Sequence, residues 1–242
     1  MASLSIITAT FNSGTILPEL ISSLEAQTDK DFTWIVADGG SSDNTLEMVS
    51  AVTSFDVLVD SRSDFVIYDA INRGIKLSLS TYYVVAGSDD TFDSDAVRNY
   101  KKAILSGSSF IVARLRLGNK VYGPTGGSLL VHGQRKLISG HAVALAIRRD
   151  LHRIYGYYSN KYPIAADQYF VQTAYLSGEG FYQVDFVAGT FSPTGLSGRD
   201  LLGALSESFR VSFEVTGHLY SCLALFLLKL FKYRSRILRS LI

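Results

Sequence analysis

Over its first ninety residues the chain alternates strand-like and helix-like patterns, and that rhythm limits it to a small set of architectures. Residues 4–9 are a short β-rich run. Residues 17–26 then place Leu17, Leu20, Ile21 and Leu24 at spacings of three and four, which gathers them on one face of a helix. A second β-rich run covers 32–37, and the turn Asp38-Gly39-Gly40-Ser41-Ser42-Asp43 follows it. Ser42 or Asp43 can cap a helix over 45–52. Residues 56–60 predict a third strand, 68–79 a third helix and 82–86 a fourth strand. Strands separated by helices pair in parallel through right-handed crossovers, so the fold class is α/β.

The middle of the chain reads differently. Between residues 106 and 140, β-prone pieces at 110–117, 120–122 and 128–132 are separated by Gly, Pro and Asn, a pattern of antiparallel strands and a surface loop. A strand at 142–147, a helix at 149–155, a helix at 165–176 and a last strand at 181–188 follow. There is no internal repeat and no low-complexity linker, so residues 1–200 read as one domain and 201–242 as a C-terminal appendage.

Composition excludes several classes. The chain is 47% hydrophobic and 19% charged, the balance of a globular protein. Its net charge of +1 provides no general field for nucleic acid. The single cysteine, Cys222, forms no intrachain disulfide framework and no cysteine-rich zinc site. The N-terminal Met-Ala-Ser-Leu-Ser lacks the basic start of a signal peptide, so secretion is not expected. No Gly-x-Gly-x-x-Gly follows a strand, which disfavours a dehydrogenase. The end of the chain is basic: Lys229, Lys232, Arg236 and Arg239 recur every three or four residues, with Leu227, Leu230, Phe231, Leu238 and Leu241 mostly opposite. The apolar run 218–231 falls short of the ~20 residues of a membrane span. A helix with one apolar and one cationic face suits an anionic membrane surface, and a core-packing or dimerising helix is the alternative.

The residues that suggest chemistry sit where strands end, the usual place for ligands in an open α/β sheet. Tyr82-Tyr83-Val84-Val85-Ala86 runs into Gly87-Ser88-Asp89-Asp90. Adjacent carboxylates repel unless a cation or solvent relieves them, and hard oxygen ligands suit Mg²⁺ or Mn²⁺. Asp and Ser are also ordinary turn and cap residues, so this pair alone admits either reading. Asp38 ends the second strand. Asp69 and Asn72 lie three apart on one helical face, with Arg73 beside them. Asp167 falls in the first turn of its helix, where the helix dipole also favours a carboxylate. His141 stands at the start of a strand, a position that is commonly structural.

Four segments carry a resemblance to a known family: Ser5-Ile6-Ile7-Thr8-Ala9-Thr10-Phe11-Asn12, Ala37 through Thr45, Ile67 through Ile75, and Gly87 through Asp90. In that order and spacing they resemble the family 2 glycosyltransferases with the GT-A fold, which build bacterial surface polysaccharides. Gly140-His141-Ala142-Val143 and Ile164 through Tyr169 extend the likeness to about residue 170, and 189–197 is loosely similar to the family's late Gly/Ser loop. The resemblance implies a mostly parallel Rossmann-like sheet flanked by helices, with a nucleotide-sugar half (1–105), an acceptor half (106–200) and C-terminal amphipathic helices. It also implies an inverting transfer from a nucleotide diphosphate sugar, a UDP-sugar, to a hydroxyl of a polyprenyl-diphosphate-linked saccharide at the cytoplasmic face of a bacterial inner membrane. In that scheme Asp90 ligates Mn²⁺ or Mg²⁺, and Asp89 assists it or holds the ribose. Ser88 replaces the first carboxylate of a strict Asp-x-Asp. Asp38 faces the base, with Thr8, Ala9 and Phe11 completing its pocket. Asp69, Asn72 and Arg73 serve the nucleotide, Arg73 reaching the diphosphate. Asp167 is the base, and His141 meets acceptor or phosphate. Val66 stands where the family usually has Gly, which implies a different arrangement of the loop into that helix. A nucleotidyltransferase is the competing enzyme class, but Thr8 to Gly14 offers one Gly and no cation for a triphosphate. A non-catalytic membrane scaffold is the competing class without chemistry.

Overall fold

The structure is a computed structural model and describes residues 3–192 and 200–240, with side chains as far as Ile237. Strands β1 (Leu4–Thr10), β2 (Thr33–Asp38), β3 (Asp56–Ser61) and β4 (Tyr82–Ala86) pair in parallel in the order β3-β2-β1-β4. Helices α1 (Leu17–Glu25), α2 (Thr45–Ser50) and α3 (Ile67–Leu77) form the crossovers. Beyond β4 the sheet continues through β8 (Leu145–Arg148), β6 (Phe110–Leu117), β9 (Phe181–Thr190) and β5 (Thr91–Phe92), and β7 (Lys120–Tyr122) forms a hairpin with β6. In this half, β8 is antiparallel to both β4 and β6, while β6 and β9 are parallel. Helices α4 (Ala96–Ala103), α5 (Leu129–His132), α6 (Leu151–Tyr155), α7 (Ala166–Leu176), α8 (Leu201–Thr216) and α9 (Leu219–Ser240) complete the described chain.

Period-two alternation divides each central strand between two cores. Leu4 and Ile6 of β1 and Tyr82, Val84 and Ala86 of β4 join Leu17, Leu20 and Leu24 of α1 and Val97 and Tyr100 of α4 on one face. Ile7, Tyr83 and Val85 point the other way and pack with Ile71 and Ile75 of α3, Phe170 and Val171 of α7 and Val211 of α8. Burial on both faces explains why β4 carries no charged residue and why the polar residues of β1 are small hydroxyls, Ser5, Thr8 and Thr10, each hydrogen-bonded.

Three elements depart from the sequence reading. Residues 128–132 form the one-turn helix α5 instead of a strand, because Gly126 and Gly127 at positive φ turn the chain away from β7 and Leu129 drops into the core. Strand β8 begins at Leu145 instead of 142, because Val143 takes φ +64. That conformation is unusual for a β-branched residue. It is held by bonds from Val143 N–H to the Val85 carbonyl (2.7 Å) and from Tyr100 Oη to the Val143 carbonyl (2.7 Å). Finally, Thr91-Phe92 pairs with β9, a contact that no local pattern announces.

The two C-terminal helices form a hairpin closed by Gly217 at φ +73. Helix α8 is fastened to the segment that carries Asp167. Glu207 accepts from the Ile164 and Ala165 N–H groups, both at 2.9 Å, and so caps α7. Among the described residues no helix is long and apolar enough to cross a membrane.

The short β5–β9 pair fixes the far side of the turn after β4, and Gly189 allows it: a Cβ there would lie 1.9 Å from the Thr91 carbonyl oxygen. Gly189→Ala is expected to lower unfolding stability by at least about 1–3 kcal/mol, since backbone must move. Urea titration checks this, and an unchanged midpoint would contradict it.

Candidate active site

A cleft of about 870 Å³ opens along the carboxyl ends of β1 and β4. Its floor is Ala9 and Val85 through Asp90. Its walls come from the start of α3, from residues 134–142 and from the first turn of α7. Phe11, 63% exposed, stands at the rim. The sequence thus brings Ala9, Phe11, Ser88, Asp89, Asp90, His141 and Asp167 to one cavity.

In the turn after β4, Ser88 Oγ donates to the Ala9 carbonyl (3.2 Å), tying the end of β4 to the end of β1. Asp90 is buried and accepts from Gly87 N–H at 2.7 Å through one oxygen and from Ser192 N–H at 2.9 Å through the other. Burial pushes its carboxyl up to about 7 against the pull of those two donors, and the neighbouring Asp89 adds to the rise. A buried carboxylate next to a second one is an environment that a cation relieves. Two hard-oxygen side chains suit Mg²⁺ or Mn²⁺, which fill their remaining positions with water and phosphate oxygens. The residues therefore fit the ion. Asp89 is the more accessible carboxylate, whereas Asp90 orders the turn from beneath.

Asp167 is buried in the α7 wall. Its two oxygens accept from Tyr68 Oη (2.7 Å) and from Gln134 Nε2 (3.0 Å). A carboxylate offers about four lone-pair sites, so two remain for a ligand. Burial, and then the charge of Asp167, raise the Tyr68 phenol well above its ordinary range, which keeps it a donor. Sequence reasoning missed both partners. Tyr68 lies 99 residues from Asp167, and Gln134 lies in a short 3₁₀ turn over residues 133–136. Arg135, next to Gln134, is the one Lys or Arg lining the cleft among the described residues.

Several candidate nucleotide residues lie outside the cleft. Thr8 Oγ1 is buried and accepts from Trp34 Nε1 (3.0 Å). Asp38 is fully buried, with bonds from Thr10, Ser41 and Ser61 hydroxyls and from the Gly40 and Ser41 N–H groups. Burial opposes its charge, but those bonds outweigh it and hold its carboxyl below the usual range. The Asn72 amide clasps the Tyr158 backbone, accepting from its N–H (3.0 Å) and donating to its carbonyl (2.8 Å). Asp69 accepts from Phe65 N–H (3.3 Å). The Arg73 guanidinium donates to the Asp38 carbonyl (2.8 Å) and pairs with Asp60 (2.9 Å) and Asp64 (3.6 Å). These five residues build the walls of the sheet end instead of lining its cavity. Val66 is extended, at φ −151 and ψ 160, a conformation open to any residue, so the helix entry needs no glycine. Residues 193–197 of the late loop lie outside the described residues.

A mostly parallel sheet with a cleft at its strand ends places the site where open α/β proteins bind their ligands, and the chain belongs to glycosyl transferase family 2, whose model matches residues 5–153. The PGL/p-HBAD biosynthesis glycosyltransferases of Mycobacterium bovis and Mycobacterium tuberculosis are 33% identical over 97 residues, 38% of this chain. That stretch likewise spans 38% of their own length. S. aureus TarS 1–349, solved in complex with UDP-GlcNAc, superposes with TM-score 0.70 at 19% identity, covering 95% of this chain and 73% of that one. A mannosyltransferase of Pyrobaculum calidifontis, in complex with GDP-Man and Mn²⁺, gives TM-score 0.67 at 14% identity over 96% of this chain and 75% of its own. The fold is therefore of the GT-A type.

If Arg73 holds the sheet end together, Arg73→Ala leaves Asp64 without its cation and Asp60 with only the exposed Arg62, and lowers stability by on the order of 3 kcal/mol. Denaturant unfolding measures this. Full stability with lost nucleotide affinity would return Arg73 to the ligand.

Proposed function

We propose that this chain is an inverting glycosyltransferase that moves a sugar from a nucleoside diphosphate to an acceptor hydroxyl. The observation that carries this reading is that Asp167 and the Asp89–Asp90 turn line one cleft. The acceptor oxygen attacks the anomeric carbon from the Asp167 side, and the bond from that carbon to the diphosphate breaks on the other. Asp167 takes the hydroxyl proton, while Tyr68 and Gln134 hold its carboxylate in place. Asp89, with Asp90 behind it, would hold Mn²⁺ or Mg²⁺, and the ion would supply positive charge to the leaving diphosphate. Arg135 adds a cationic side chain to the same cavity. The UDP and GDP sugars held by the TarS and mannosyltransferase structures support this donor class.

Asp167→Asn is expected to cut transfer by about 10²–10⁴-fold and to leave nucleotide-sugar affinity within about twofold. Asp89→Asn should remove the gain in nucleotide affinity brought by Mn²⁺. Calorimetry and release of nucleoside diphosphate read these outcomes. Near wild-type turnover of Asp167→Asn would remove the base, and pyrophosphate release from a nucleoside triphosphate would indicate a nucleotidyltransferase instead.

For the acceptor, we infer a lipid-linked saccharide reached from the cytoplasmic face of a membrane. Tyr220, Leu223, Leu227 and Phe231 form an exposed stripe on α9, and Lys232, Arg234 and Arg236 follow it. The expected positions Leu238, Arg239 and Leu241 lie outside the described side chains. Helix α9 packs against α5, which leads directly into the Gln134–Arg135 wall of the cleft. A membrane under α9 would therefore lie beside the cleft. Vesicles containing phosphatidylglycerol should bind the full chain, with binding weakened by salt and by Leu227→Glu with Phe231→Glu. Equal binding by the double variant would contradict this.

A further inference from the structure

A line of four hydrogen-bonded side chains runs from the cleft wall into the core. His141 Nε2 lies 2.8 Å from Tyr158 Oη, which lies 2.8 Å from Tyr83 Oη, which lies 2.6 Å from His152 Nε2. At the inner end, His152 Nδ1 lies 3.0 Å from the Gly156 carbonyl oxygen. The inventory of donors and acceptors fixes the direction of every bond.

A carbonyl oxygen only accepts, so His152 Nδ1 carries a proton. Burial pushes the His152 imidazole down to about 4, so at neutral pH the ring holds one proton and Nε2 accepts. The acceptor at Nε2 takes the single proton of Tyr83, whose oxygen then accepts from Tyr158. With the Tyr158 proton used inward, its oxygen accepts from His141 Nε2–H. Burial keeps both phenols protonated by raising them far above their ordinary range. Burial also lowers His141, against the opposing pull of the Asp167 charge. The His141 ring is therefore neutral, with its proton on the inward nitrogen.

The outward nitrogen, Nδ1, is left as an acceptor. His141 lines the cleft, and no described residue hydrogen-bonds Nδ1. The surrounding backbone fixes the ring position: Asn72 clasps the Tyr158 backbone, and Val143, two residues after His141, is locked at positive φ by Val85 and Tyr100. A neutral nitrogen without a proton repels phosphate oxygens and accepts from a hydroxyl. Residue 142 bridges Val85, so His141 stands beside the strand that leads into the Asp89–Asp90 turn, and it lines the same cleft as that turn and Asp167. In a glycosyl transfer that space holds the donor sugar.

Resting on the glycosyltransferase reading, we propose that His141 is a specificity-determining residue whose Nδ1 accepts a hydrogen bond from a hydroxyl of the donor sugar, and that Tyr158, Tyr83 and His152 are positioning residues that hold its tautomer.

Two measurements test this separately. Long-range ¹H–¹⁵N spectra of the wild-type chain at neutral pH should show His141 with a protonated Nε2 and an unprotonated Nδ1. Tyr158→Phe should convert that signal to a mixture of tautomers. A wild-type His141 protonated at Nδ1, or an unchanged signal in Tyr158→Phe, overturns the positioning role without reference to catalysis. Calorimetry with UDP, UDP-glucose, UDP-GlcNAc and GDP-mannose in the presence of Mn²⁺ tests the contact. For the sugar nucleotide that wild type binds best, His141→Ala should weaken affinity about tenfold, while affinity for the bare nucleotide stays within about twofold. Equal loss for nucleotide and sugar nucleotide would indicate a phosphate contact, and no loss for either would place His141 on the acceptor; both overturn the proposal. If wild type binds none of the four, the glycosyltransferase reading fails and the sugar contact fails with it, while the spectra still judge the tautomer.

Discussion

The parallel pairing of β1 with β4 is the constraint on which the rest of the structure depends. It brings two strand ends side by side, and Ser88 bonds the Ala9 carbonyl across the gap. Beyond Thr8 and Ala86 the two strands no longer pair with each other, and Ala9 and Val85 through Asp90 line the cleft. Both cores form on this pair as well, since alternate residues of β1 and β4 supply the centre of each. The site inherits the rigidity of strands that are buried on both faces.

On this frame the two carboxylate groups are held by different means. Asp90 is kept in place by backbone donors from both sides of the turn, including one from beyond β9. Asp167 is kept in place by side chains, and its helix is capped by Glu207 from α8. The C-terminal helices therefore support the cleft wall that holds Asp167 as well as carrying the exposed apolar and basic stripe. One segment joins the two tasks, because α5 touches α9 and leads into Gln134.

Much of the frame was legible in the sequence because its signals are local. Spacings of three and four in α1 and the β-prone runs of β1 and β4 mark their elements without help from elsewhere. The turn at Asp89–Asp90 and the position of Asp167 were legible through residue type and order. The bonds that hold Asp90 were not, because one of them comes from Ser192, 102 residues away. Arg73 looked available for a ligand because the carboxylates that hold it, Asp60 and Asp64, lie at the end of a neighbouring strand and in the loop after it. Asn72 looked available because its partner is the backbone of Tyr158, 86 residues on. The misread strand at 128–132 has the same origin: Leu129 packs into a core built by residues far along the chain, and the segment turns helical over it.

The central claim is that the end of β4 holds a divalent ion for a diphosphate facing Asp167. Anomalous scattering from Mn²⁺ in crystals grown with UDP tests it most directly. The account predicts a peak beside the Asp89 carboxylate with the diphosphate next to it. A manganese site away from the Gly87–Asp90 turn, or none at saturating UDP, would contradict it.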